Sequence, residues 1–316
     1  MPAADTRRAA GPTAVAPVPL SQVRADLLLL AVAVLGISLS GPLIAATAAP
    51  ALAIAFWRNA MAVTGLAPVV ALRGRLRREL ARLDRRTWLL SLAAGAALAA
   101  HFALWLPSLH LTSVASSVAL VTTTPIWTTV LLRLRGHRPP AQVWLGTAVA
   151  FAGVIMLTGV DLTVSARALA GDALALAGGM TAAVYVLIGA EVRRTTSTTG
   201  YTFICYSTTS VLLLAACLAT GTSLGGDYTA ETWLKLLVLA LASQLLGHSL
   251  LNRVVQRLGP SVTSTAILLE TPGAALIAAL WLGQLPPLAA YPALAVILAG
   301  LAVVIRAERV RPAPAP

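Results

Sequence analysis

Residues 114–160 read VASSVALVTTTPIWTTVLLRLRGHRPPAQVWLGTAVAFAGVIMLTGV, and residues 261–307 read SVTSTAILLETPGAALIAALWLGQLPPLAAYPALAVILAGLAVVIRA. Shifted by 147 positions, the second lies on the first. Thr271-Pro272 then falls on Thr124-Pro125, Gly283 on Gly136, Pro286-Pro287 on Pro139-Pro140 and Gly300 on Gly153. The same ungapped offset puts His248 on His101 and Gly221 on Gly74, and it superposes the ends of whole apolar runs. Such agreement marks an internal duplication.

Outward from these stretches the chain is apolar almost throughout. Of 316 residues 58% are hydrophobic and 11% charged, with a mean hydropathy of +0.84. Soluble domains carry roughly 25% charged residues, so lipid must be the solvent for most of this chain. Apolar runs fall at 27–47, 51–72, 88–106, 114–132, 144–160, 173–190, 201–219, 232–251, 262–282 and 287–305. Each matches the roughly 20 residues with which a helix crosses about 30 Å of hydrocarbon, and none alternates with a strand's period of two. The fold expected is all-α, a polytopic membrane protein of ten transmembrane helices as two inverted five-helix repeats. Residues 1–26, rich in Ala and Pro, are expected to be a disordered cytoplasmic tail. Residues 27–160 form the first repeat, 161–306 the second and 307–316 a second cytoplasmic tail. A basic lead before 27–47 also resembles a cleavable signal peptide, but the repeat requires that run as a retained first span.

The net charge of +12 does not point to nucleic acid, because its distribution follows the spans. Counted over alternating sides, 20 basic residues fall on one side, among them the seven arginines between Arg73 and Arg86. The other side receives Arg167 and Lys235, and Arg58 lies inside a span. Positive charge stays in the cytoplasm, so both termini are expected there, in the plasma membrane of a bacterium. Five spans per half make the second copy enter from the opposite face. The charges agree: the turn RLRGHRPP at 133–140 carries three arginines, and its copy LWLGQLPP at 280–287 carries none. Inverted repeats of this kind build secondary transporters, whose halves rock about a midplane site.

The stretches 108–157 and 257–305 resemble the repeat core of the EamA-type transporters of the drug/metabolite transporter superfamily: a small-residue helix, a Pro near mid-span, a Gly turn and a Gly-containing helix. The resemblance implies a ten-helix bundle with a central cavity lined chiefly by spans one, three, four, six, eight and nine. It also implies substrates such as amino acids, other metabolites or drugs, often moved outward. The chain departs from that family at the residue after the turn glycine, usually acidic there and here His137 and Gln284.

An ionisable group near the bilayer centre costs about 2.5–3.5 kcal/mol and therefore needs a reason. Glu270, near the middle of span nine, reads as the only acid in the hydrocarbon zone. It is expected to serve as a proton or cation site, as counter-charge to a substrate amine, or as structural partner to Arg58. Arg58, in span two, either binds a substrate carboxylate or snorkels and braces a neighbouring helix. His101 and Trp105 share a face by their i, i+4 spacing, as do Gln244, His248 and Asn252. With the halves inverted, the two histidines sit at opposite mouths of one cavity, as gates or as packing residues inherited twice. Thr122, Thr123 and Thr124 precede Pro125 in the middle of span four, and Trp127 lies one turn beyond Thr123. Proline frees a carbonyl one turn back, so the Thr-Pro pairs at Thr124 and Thr271 are expected to face each other at the site or to let helices approach closely.

Cys205 and Cys217, twelve positions apart in one run, stand about 18 Å apart along a helix and cannot pair. No nucleophile with a nearby base, metal-ligand cluster or phosphate loop is legible, so neither catalysis nor a cofactor or metal is expected. The function expected is a secondary transporter, an exporter of small metabolites such as amino acids, working by alternating access. The alternatives are efflux of small drugs or organic cations, a membrane-embedded enzyme, or a scaffold subunit. The expected partners are a small-molecule substrate, the bilayer and protons, with the chain a monomer or weak homodimer.

Overall fold

The computed structural model describes residues 20–247, 250 and 269–309. Thirteen α-helices and one π-helical stretch account for nearly all of them, and no strand occurs among the described residues. In chain order they are α1 (Leu20–Ser38), α2 (Ser40–Ala45), α3 (Ala51–Leu72), α4 (Gly74–Ala81), α5 (Arg85–Ser108), α6 (Val114–Val121) and α7 (Thr124–Leu134). Then follow α8 (Ala141–Val164), α9 (Ala166–Val192), α10 (Thr198–Ala219), α11 (Ala230–Val238), the π-helical stretch Leu239–Gly247, α12 (Glu270–Leu282) and α13 (Ala290–Arg309). Nine of these segments are long and apolar enough to cross a membrane, and α12 is a shorter apolar helix within the expected ninth span.

Most span ends differ from the sequence reading. The first helix begins at Leu20, inside the segment expected to be a disordered tail. The sixth span is longer than the apolar run suggested: α9 starts at Ala166, so Asp172 lies inside it. Caps explain several boundaries. Asp84 accepts from the backbone N–H groups of Arg86 and Thr87 at 3.1 and 3.3 Å, opening α5. Ser113, Ser165 and Ser197 open α6, α9 and α10 in the same way.

Span four is broken where the threonines meet the proline. Pro125 has no N–H to give to the carbonyl of Val121, and the hydroxyl of Thr124 donates to that carbonyl instead, at 2.9 Å. Thr122 and Thr123 likewise donate to Ala119 and Leu120, at 3.0 and 2.6 Å. The hydroxyls thus satisfy the carbonyls that the break exposes, which is what makes a non-helical step tolerable inside a bilayer.

The helices pair as a twofold duplication requires. Span two (α3) packs on span seven (α10), span four (α6 and α7) on span nine (α12), and span five (α8) on span ten (α13). Span three (α5) packs on span six (α9), and its counterpart, span eight, packs on span one. Exchanging the two halves leaves this set of pairs unchanged. The tightest crossing is α8 on α13. A Cβ at Gly153 would stand 2.7 Å from the amide of Ile297, and one at Gly300 would strike Ala150. Residues 150 and 297 are themselves related by the 147 offset. In lipid no apolar driving force draws helices together, so small residues that let backbones touch carry the association. Gly136 (φ 87°) and Gly283 (φ 65°), equivalent in the repeat, both end their helices in the left-handed region that glycine enters without penalty.

Candidate functional site

Arg58 occupies the second turn of α3 and is 2% exposed. It does not snorkel. Its Nε donates to Gln244 Oε1 at 2.6 Å, and Nη1 reaches Ser40 Oγ at 3.4 Å. The guanidinium stands 4.5 Å over the ring of Phe102. Gln244 Nε2 in turn donates to Asn59 Oδ1 at 2.8 Å, and Asn59 Nδ2 donates to the carbonyl of Ala55. Glu270 and Tyr206 lie within electrostatic reach of the guanidinium. A buried charge is tolerated only when hydrogen-bonded and balanced, and here Gln244 supplies the first and Glu270 the nearest opposite charge. The cluster joins spans one, two and three of the first repeat to spans seven, eight and nine of the second.

Gln244 is aimed by an unusual backbone. It lies in the π-helical stretch Leu239–Gly247, a form rare in proteins and concentrated at functional sites. Span one holds this stretch closely, since a Cβ at Gly36 would come 2.9 Å from the carbonyl of Ala242. The face expected for Gln244, His248 and Asn252 assumes an α-helical period. His248 and Asn252 lie outside the described residues.

His101 and Trp105 do share a face, with rings stacked 5.5 Å apart at 24°. His101 Nδ1 is 3.0 Å from the carbonyl of Gly178 on α9, and Gly178 also packs on Trp105. Trp105 is 5% exposed, yet its indole N–H is buried with no hydrogen-bond partner. An orphaned buried donor of this kind demands an explanation, and a ligand acceptor is one.

The threonines divide. Thr122 Oγ1 and Thr271 Oγ1 are 3.2 Å apart, so spans four and nine do meet at their Thr-Pro steps. The contact nevertheless runs through Thr122 and not through Thr124, the repeat equivalent of Thr271. Thr123 and Thr271 are 0% and 2% exposed and so line no open space in this conformation. Thr123 accepts the indole N–H of Trp127 at 3.2 Å, while Thr124 turns toward the carbonyl of Gly179 at 3.5 Å. Glu270 begins α12 and is partly buried.

Three features of this region escaped the sequence reading. Asn59 and Ser40 are small polar residues in apolar runs, and only the FWRNA pairing gave a hint of the first. Glu270 is also not the only buried acid in the spanning helices. Asp161 at the end of α8 and Asp172 in α9 are 4% and 1% exposed and face each other with the hydroxyls of Thr112 and Ser116. Both oxygens of Asp172 lack a hydrogen-bond partner. The misplaced start of span six had put Asp172 outside the hydrocarbon zone.

Comparison with known proteins bears on this arrangement. No curated protein matches the chain. A solved crystal structure, described only as that of a protein, has the same fold: the TM-score is 0.63 at 18% identity, over 91% of this chain and 99% of the other. The model of the EamA-like transporter family matches residues 24–159 and again 169–306, one match for each half. With two matches that together cover most of its length, this chain belongs to the EamA-like transporter family.

Proposed function

We propose that the protein is a secondary transporter that exports small zwitterionic metabolites, amino acids or related solutes, from the cytoplasm of a bacterium by alternating access. The observation that carries this reading is the buried guanidinium of Arg58, held by Gln244 in a polar cluster between the repeats with Glu270 within its electrostatic reach. A guanidinium is built to receive a carboxylate. Glu270 offers the opposite charge to an amine, and the orphaned indole N–H of Trp105 is a further donor on the neighbouring helix. Rocking of the halves about the Thr122–Thr271 contact would open the cluster to either side in turn. Net outward movement follows from the family resemblance, and protons exchanged at Glu270 would drive it.

The test is flux into liposomes containing the purified protein, preceded by a thermal-shift screen of amino acids, nucleosides and organic cations, since a ligand of the folded state raises its melting temperature. Amino acids should stabilise the protein, and Arg58→Lys should weaken that stabilisation by removing the fork while keeping the charge. Glu270→Gln should abolish gradient-driven accumulation and leave exchange of substrate across the membrane. If only organic cations stabilise the protein and Arg58→Lys has no effect on them, efflux of drugs or cations replaces this reading.

A further inference from the structure

At the arginine-rich end of the bundle α4 lies across the start of α10. Its arginines at 75, 78 and 82 follow the i, i+3, i+7 spacing of one helical stripe. Leu76 on the other side is buried, and Leu80 reaches to within 3.5 Å of where a side chain at Gly200 would begin. Glu79 fastens the helix by accepting from the Ser197 amide at 2.7 Å. Between the arginine stripe and the connection from α9 to α10 lies a cleft of about 520 Å³, lined by Arg75, Arg78, Arg82, Arg193, Arg194 and Thr196 among others.

The charges of this cleft are not balanced from within. Glu79, the one carboxylate in the lining, accepts from the Ser197 amide and Arg194 pairs with Glu191 at 3.2 Å, against five arginines around the cleft. Among the described residues Arg75, Arg78, Arg82 and Arg193 have no carboxylate partner. Thr196, 5% exposed, also borders the cleft, and its buried hydroxyl has no partner. Guanidinium forks gathered around one cleft, with an unpaired hydroxyl at its border, are suited to phosphoryl oxygens.

We propose that this cleft binds the phosphate headgroup of an anionic membrane lipid. The lipid source follows from position. α4 connects the end of span two to the start of span three, so the cleft lies at the boundary where headgroups of the basic side reside. Binding there would tie α4, and through it span two, to the start of span seven.

Positive charge that merely orients spans attracts anionic lipid wherever it sits, and the experiment separates the two. Full-length protein in nanodiscs of phosphatidylcholine, with and without phosphatidylglycerol, is analysed by thermal unfolding and by native mass spectrometry of retained lipid. Phosphatidylglycerol should raise the melting temperature of the unaltered protein and remain bound. Arg78→Gln/Arg82→Gln/Arg193→Gln should lose at least tenfold of that retention, and the same three positions changed to Lys should lose an intermediate amount. The charge-matched control Arg133→Gln/Arg135→Gln/Arg138→Gln, on exposed arginines of another basic turn, should keep it. Equal losses in the control and the cleft variant overturn the proposal, as does full retention by the cleft variant. Inorganic phosphate titrated in detergent is the other arm. Saturable stabilisation by phosphate at millimolar concentration, without selective retention of phosphatidylglycerol, assigns the cleft to a soluble phosphorylated compound and overturns the lipid assignment.

Discussion

Arg58 Nε and Gln244 Oε1 are 2.6 Å apart, and this one bond joins span two of the first repeat to span eight of the second. Replacing Gln244 by Leu strands a buried guanidinium. Leaving a buried polar group without its partner costs about 1–3 kcal/mol, and more for a charged one. The melting temperature of Gln244→Leu should fall accordingly, and Arg58→Met/Gln244→Leu should recover much of the loss because the charge is gone. A double variant as unstable as the two single losses added together would show that the bond is not what holds the charge.

Gly153 and Gly300 should both resist enlargement. Leu at either forces α8 and α13 apart, at a cost of about 1–3 kcal/mol or more for overpacking. Gly159 on α8 has no neighbour within 4 Å of a built Cβ, so Gly159→Ala should be neutral or stabilise by about 0.5–1 kcal/mol. Thermal unfolding of the three variants decides the matter. Equal responses would dissociate the twofold crossing from the glycines.

Asp161 and Asp172 face each other, buried and without a cationic partner among the described residues. Asp172→Asn removes one of two adjacent carboxyls and offers an amide donor to the other. Stability should rise, on the order of 1 kcal/mol, the scale set by one unsatisfied buried group. A fall in melting temperature would mean that the pair is already satisfied by a bound cation.

Cysteines at Ala141 and Ala289, both exposed, test the inverted topology. In a Cys-free background an impermeant maleimide should reach Ala289→Cys from outside intact cells and Ala141→Cys only after permeabilisation. Equal labelling from outside contradicts the charge partition.

His110, in the turn between α5 and α6, binds its proton less tightly than usual, first because of burial and then because of Arg167. The unfolded chain therefore takes up a proton at a pH where the folded protein does not, so stability is complete above about pH 6.5 and falls on acidification. The effect is small, since His110 is only half-buried and remains in contact with solvent. His110→Gln should flatten this part of the stability profile, measured by unfolding between about pH 5 and 7. An unchanged slope would assign it to another group.

The sequence by itself determined the solvent, the number of spans and the twofold duplication. Those are properties of long windows: hydropathy averages over twenty residues, and an offset of 147 accumulates agreement along both halves. It also flagged Arg58, Glu270, Gln244 and the His101–Trp105 face, because a polar group in hydrocarbon is costly enough to be conspicuous. Helix ends were less legible. Asp172 was placed outside its span because an apolar window cannot see that Ser165 caps the helix about two turns earlier.

Only the tertiary structure decided which polar groups meet. The π-helical stretch sets Gln244 against Arg58, and no local pattern announces that contact. Thr271 met Thr122 rather than its repeat equivalent Thr124, because Pro125 engages the Thr124 hydroxyl with the carbonyl of Val121. Asp161 and Asp172 are eleven positions apart on different helices, and the arginines of α4 and of the α9–α10 connection are more than a hundred apart. Their convergence depends on how helices pack in three dimensions, which composition and periodicity along one chain do not encode.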